Sequence, residues 1–321
     1  MNLLALPAAA LGWIGRKGTL VVAASLFVGL AVPGLAAACK PFLGEAIVVM
    51  LALAFLRVDP TDRPTELRHH FTRPGLIAIA TVWVMLVVPA LLGTLFLVVG
   101  LDKSMPGLFF MLVLQMSAPG LMSSPALAAL MGLDVALTLA SLVVCSAITP
   151  LTASLFSHLF IGNALISPYA LGLKLFAIIA GSALAAAAIR RIAGRAWVEA
   201  QRERIDGLSV IAMFMFAVAA MDGVADHFRA DPLLVGKLMA LAFALALGLI
   251  AITALIFLHV GRARALAIGL IAGNRNIGLM LAATGFMVPD VAWLYFALAQ
   301  FPIYLLPHLL KPLARRLQQA G

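Results

Sequence analysis

The sequence predicts an all-α integral membrane protein, with ten transmembrane helices arranged as two inverted five-helix repeats. Three observations carry that expectation: the composition, the alternation of basic charge between apolar segments, and a matched pair of interrupted segments. Of the 321 residues, 64% are hydrophobic and only 11% are charged, with a mean hydropathy of +1.11. A soluble domain carries about 25% charged residues. A chain this apolar cannot cover its surface with polar groups, so lipid is its expected solvent. The net charge of +9 is then read as loop charge that sets orientation, not as a nucleic-acid footprint.

The amino terminus is read as an interfacial lead-in over 2–15. Its apolar stretch precedes Arg16 and Lys17 instead of following a basic region, and no small-residue cleavage site is evident, so a signal peptide is not expected. A window of about 20 residues, the length a bilayer core requires, then places spans at 18–33, 37–56, 75–99, 106–131, 135–161, 166–190, 207–225, 233–259, 264–287 and 291–310. Pro33-Gly34, Pro60, Pro74, Pro106-Gly107, Pro168, Pro232 and Pro289 punctuate the joints. Cys39 and Cys145 fall in different spans without metal-ligand spacing, which makes them small apolar fillers; no disulfide framework, metal or cofactor is expected.

Basic residues test the span count independently. With ten spans, one side collects Arg16, Lys17, Arg57, Arg63, Arg68, Arg73, Arg190, Arg191, Arg195, Arg202, Arg204, Arg262, Arg264, Lys311, Arg315 and Arg316. The other side receives Lys40, Lys103, Arg229 and Lys237. This bias puts both termini in the cytoplasm, and the expected location is a bacterial inner membrane.

Ten spans divide into a first repeat over 1–161 and a second over 162–321, and an odd number of spans in each half makes their topologies opposite. Inverted repeats are a transporter design in which discontinuous helices meet at a midplane site. The fourth span of each half is interrupted. In span four, Gln115-Met116-Ser117-Ala118-Pro119-Gly120-Leu121-Met122-Ser123-Ser124-Pro125 cannot run as an unbroken helix. In span nine the interruption is Ala272-Gly273-Asn274-Arg275-Asn276-Ile277-Gly278. Either one alone reads as a structural kink. Both together, with polar side chains, point to a cavity or a binding site. The candidate residues are Arg275, Asn274, Asn276, Gly273, Pro119, Gly120, Ser123, Ser124 and Gln115.

At these residues the chain resembles the bile acid:sodium symporter family. Ala118-Pro119-Gly120, Ser124, Asp134-Val135-Ala136-Leu137-Thr138 and Thr149-Pro150-Leu151 are similar to that family's fourth and fifth helices, and Asn276-Ile277-Gly278-Leu279 to its ninth-helix crossover. Pro89 and Lys174 fall where the family carries such residues. The resemblance extends over essentially the whole chain. It implies a core domain of spans three to five and eight to ten on a panel domain of spans one, two, six and seven, with broken helices four and nine crossing. It also implies uptake of organic anions such as sterol conjugates or small carboxylates. The family's sodium ligands are largely replaced: Ile271 stands for a glutamate, Arg275 for a glutamine, Pro125 for an asparagine, Leu142 for a hydroxyl and Val84 for a glutamine. Ser124 and Thr138 alone keep sodium-compatible oxygens there, which argues against sodium coupling at those sites.

Arg275 is the most informative residue. An arginine at a helix centre costs about 2.5–3.5 kcal/mol on insertion scales, and no acidic residue falls mid-span in the core helices to neutralise it. It is expected to occupy the space of a missing sodium as a fixed cation, binding free carbonyls and presenting donors to a carboxylate or sulfonate. The alternative is a staple satisfied by carbonyls alone. Among lesser candidates, Lys174 is read as snorkelling and Glu45 as hydrated at the outer face. His158, His259 and His308 are read as interfacial, His69-His70 as solvated, and Met116, Met122 and Met280 as candidates to line an apolar cavity.

No Ser/His/Asp spacing, His-Glu-x-x-His, P-loop or paired intramembrane aspartates occur, so neither an enzyme nor an ATP-driven pump is expected. The expected function is secondary transport of an organic anion, bile-acid-like or a small carboxylate or sulfonate, by alternating access, with the lipid bilayer as surroundings and no nucleic-acid partner. Coupling ion and oligomeric state stay open. The alternatives are a non-transporting receptor or scaffold on the same fold, and a membrane-embedded enzyme.

Overall fold

Proline starts many of the helices, because its fixed φ suits the first turn and its missing N–H would be unpaired there anyway. The computed structural model describes residues 21, 23–57, 74–162 and 166–319, with side chains as far as Pro312 apart from that of residue 308. Outside the described residues lie the lead-in 2–15, Arg16, Lys17, Pro60 and the loop bearing Arg63, Arg68, Arg73 and His69-His70. The side chains of His308, Arg315 and Arg316 lie outside them too.

The first helix, α1, covers 23–31. Next, α2 (Pro33–Cys39) passes through a 3-10 turn, Lys40–Phe42, into α3 (Leu43–Arg57). After it, α4 (Pro74–Val82) continues through a π-helical segment, Trp83–Val87, into α5 (Val88–Val98). There follow α6 (Leu101–Ser104), α7 (Pro106–Ser117), α8 (Ser124–Met131), α9 (Val135–Phe160) and α10 (Pro168–Ala193). Then come α11 (Arg195–Ala200), α12 (Arg202–Ala220), α13 (Val224–Ala230) and α14 (Pro232–Ile256). The last are α15 (Arg262–Gly273), α16 (Ile277–Thr284) and α17 (Asp290–Gln319). Among the described residues there is no strand; the one β-type pairing is an isolated antiparallel bridge between Gly120 and Arg275.

Among the described residues, seven helical segments are long and apolar enough to cross a membrane: Pro33–Leu56, Pro74–Val98, Val135–Phe160, Pro168–Ala193, Arg202–Ala230, Pro232–Ile256 and Asp290–Pro312. Their outer faces carry bare apolar side chains, such as Leu151 at 75%, Leu184 at 70% and Leu255 at 66% exposure. That surface suits lipid and not water, so the chain is a multi-pass helical membrane protein. The other three expected spans are the one at 18–33, described only in part, and the two at 106–131 and 264–287, whose helices are broken. Some boundaries move. The span expected at 37–56 already starts at the Pro33 joint, and the span expected at 291–310 runs on to Gln319 through Pro302, Pro307 and Pro312.

The chain divides into two compact units. One comprises the described parts of Met1–Asp59 and Ile178–Val235. Its packing sets α12 on α2 and α3, with Leu53, Leu56, Ala186 and Ile205 in one buried cluster. Arg190 donates to the Leu56 carbonyl at 2.6 Å, closing the end of α3, and Lys40 pairs with Asp222 at 2.8 Å. The other unit comprises Pro60–Ala177 and Gly236–Gly321. Its core lies between α7, α9, α15 and α17, and it contains both broken segments.

Candidate functional site

Local chemistry dictates both breaks. Ala118, ahead of Pro119, takes an extended conformation (φ −71°, ψ 149°), as the clash with a proline ring requires. Asn274 is likewise extended (φ −102°, ψ 94°), and the Asn276 side chain caps the next helix by accepting from the Leu279 N–H at 3.2 Å. The two interruptions have matching lengths on either side. Twelve residues precede each break in α7 and α15, and eight follow in α8 and α16. Each following half-helix ends on a left-handed glycine, Gly132 at φ 74° and Gly285 at φ 70°, a conformation that costs other residues more.

Freed backbone groups must find partners at membrane depth. Here the two breaks satisfy each other: the Leu121 N–H donates to the Asn274 carbonyl and the Asn276 N–H to the Pro119 carbonyl, both at 2.8 Å. Close approach needs glycine. A Cβ on Gly120 would lie 2.7 Å from Ile271 Cγ2, and one on Gly273 would lie 2.6 Å from the Ala246 carbonyl oxygen.

The Arg275 guanidinium fills the junction and is wholly buried. Its Nε donates to the Ala272 carbonyl at 2.7 Å, and its Nη1 to the Ala118 carbonyl at 2.9 Å and the Val84 carbonyl at 3.0 Å. Ala272 and Ala118 sit at the carboxyl ends of α15 and α7. Each such end carries roughly half a negative charge, so two of them about balance one guanidinium. This accounts for a buried arginine that has no carboxylate partner among the described residues. Its Nη2, both polar atoms of the Asn274 side chain and Ser124 Oγ are buried without a hydrogen-bond partner among the described residues. The amino ends of α8 and α16, whose partial charge is positive, begin at the same breaks.

The structure therefore brings Arg275, Asn274, Gly273, Pro119 and Gly120 together. Gln115, in the last turn of α7, accepts from the Tyr295 hydroxyl at 2.6 Å. Ser123 is half-buried at the start of α8 and makes no side-chain capping bond. Thr138 donates to the Asp134 carbonyl at 2.7 Å, within α9. Val84 and Ile271 belong to one buried apolar cluster with Met85, Cys145 and Ala272, and Leu142 is buried. No group of three or more His, Cys, Asp or Glu residues suited to a metal occurs among the described residues. Lys174, Glu45, His158 and His259 are exposed, Met116 and Met280 are buried, and Met122 is half-buried.

Sequence reasoning missed three participants. Gly269 packs on the Ile250 carbonyl, 2.7 Å from where its Cβ would stand, and its four-residue spacing from Gly273 is a small-xxx-small signal that could have been read. Tyr295 and the Val84 carbonyl carry no local signal. Asp134 has a sharper role than a helix-end charge. It caps α9 through the Leu137 N–H at 2.9 Å and also accepts from Arg264 Nε at 3.3 Å. Asp134→Ala should cost about 1 kcal/mol, measurable as a lower melting temperature in detergent. No protein-family model matches the chain, and a search of curated proteins returns no match.

Proposed function

We propose that this chain is a secondary transporter of organic anions that works by alternating access, with Arg275 as a built-in cation in place of a bound sodium. The observation that carries the reading is the junction itself: a fully buried guanidinium holding three carbonyls where two broken helices pair. Discontinuous helices of this kind are transporter features. The equal lengths of the half-helices on each side of the breaks support ten spans in two inverted halves, 1–161 and 162–321. The division of the chain into two units, with borders inside α10 and α14, supports the grouping of spans three to five and eight to ten into a core and of spans one, two, six and seven into a panel. Positive charge in alternate loops supports cytoplasmic termini in a bacterial inner membrane.

The polar atoms left over at the junction, Arg275 Nη2, the Asn274 amide and Ser124 Oγ, are those that the oxygens of a carboxylate or sulfonate would use. Sodium coupling at the family positions is disfavoured by their apolar packing around Val84 and Ile271. The test is uptake into proteoliposomes of radiolabelled sterol conjugates and short carboxylates, with sodium or with choline outside. Saturable uptake that is unchanged by removing sodium is expected, and a steep sodium requirement overturns the fixed-cation reading. Uptake that is flat across the anions, while one of them still raises the melting temperature, favours a receptor on the same fold.

A further inference from the structure

The third carbonyl held by Arg275 is the unusual one, because it comes from the middle of a helix. In an α-helix the Val84 carbonyl would be engaged by the N–H four residues on. Here the helix is π-helical over Trp83–Val87, and the N–H of Val88 reaches back five residues to the Trp83 carbonyl. The next bond in that register would join residue 89 to the Val84 carbonyl. Residue 89 is proline and has no N–H to give. The carbonyl that the π register assigns to Pro89 is therefore the one that Arg275 Nη1 takes at 3.0 Å.

The same proline explains the register. In a regular helix its ring would clash with the carbonyl four residues earlier, that of Met85, and widening the turn to a π segment relieves that clash. The opposite end of the segment is pinned by Trp83 Nε1, which donates to Thr253 Oγ1 on α14 at 3.0 Å. Val84, Met85 and Pro89 are buried, so no solvent competes for the freed carbonyl.

We propose that Pro89 is a positioning residue for Arg275: by withholding an N–H and enforcing the π segment, it supplies the Val84 carbonyl as a dedicated ligand for the guanidinium. Proline and arginine then form one device, 186 positions apart in sequence, whether or not the chain transports anions.

A thermal double-mutant cycle tests this. Arg275→Gln orphans the Val84 carbonyl and should lower the melting temperature by about 5–10 °C. Pro89→Ala restores an N–H beside that carbonyl. It should change the wild-type melting temperature by less than about 2 °C but recover about half of the loss in the Arg275→Gln background. A proline that merely shapes the helix would shift both backgrounds equally, and that result overturns the proposal. If the Arg275→Gln protein does not accumulate, Arg275→Lys, with its fewer and unforked donors, serves in the same cycle with the same two outcomes.

Discussion

Arg275→Ala should lower stability by about 2–5 kcal/mol and, under the proposed transport function, abolish anion uptake, with Arg275→Lys restoring part of both. The magnitude follows from opposing effects. Removing the side chain eliminates the cost of burying a charge, about 2.5–3.5 kcal/mol for an arginine at the centre of a spanning helix. It also eliminates three charge-assisted hydrogen bonds to the carbonyls of Ala272, Ala118 and Val84, each worth about 1.5–3 kcal/mol. The bonds outweigh the desolvation, because the guanidinium serves three acceptors at once and leaves them orphaned when it goes. Lysine keeps the charge but lacks the rigid fork, so it reaches fewer of the carbonyls. Thermal melts in detergent and uptake in proteoliposomes measure the two effects separately. An alanine variant as stable as the wild type would show that the junction is held by the backbone pairing alone.

Gly273→Val is the second large effect expected, about 3 kcal/mol of lost stability or a failure to accumulate folded protein. The added Cβ would stand 2.5 Å from Ile250 Cγ1 and 2.6 Å from the Ala246 carbonyl oxygen. The side chain of Ile250 can turn away, whereas the Ala246 oxygen is part of the backbone of α14 and yields only if the helix moves. Gly269, one turn earlier, faces the Ile250 carbonyl in the same way, so Gly269→Val should fail similarly. The control is Gly248→Ala on α14, where nothing lies within 4 Å of the new Cβ. That variant should be neutral or up to about 1 kcal/mol more stable, since alanine favours a helix over glycine. Fluorescence size-exclusion profiles with melting curves distinguish the seam from the control. Equal behaviour of Gly273→Val and Gly248→Ala would sink the close-packing account.

Legibility in the sequence followed the range of the physics involved. The breaks at Pro119 and at Asn274-Arg275-Asn276 were readable because proline sterics and asparagine capping act within a few residues. Most long spans were readable because lipid selects runs of apolar residues. Boundaries were less so: the second span starts at Pro33 and not at 37, and α17 continues past Pro312, since a proline near a helix end is compatible with either outcome. Gln115 was picked out as a polar residue at the break and Thr138 as a sodium-compatible oxygen that the family resemblance implied. Gln115 is engaged by Tyr295 and Thr138 by its own helix backbone, and composition carries no signal of such partners.

What the sequence by itself determined is a multi-pass helical membrane protein with an arginine set into one of two interrupted segments, because hydropathy and backbone sterics are local properties. What only the tertiary structure decided is how that arginine is accommodated. Its acceptors lie on Ala272 three positions away, on Ala118 157 positions away and on Val84 191 positions away. Those acceptors are backbone carbonyls, which every residue possesses, so nothing in the side chains marks them. They became ligands because the breaks at Pro119 and Asn274 and a missing N–H at Pro89 freed them, and because glycines at 120 and 273 let the helices come close enough for one guanidinium to span them.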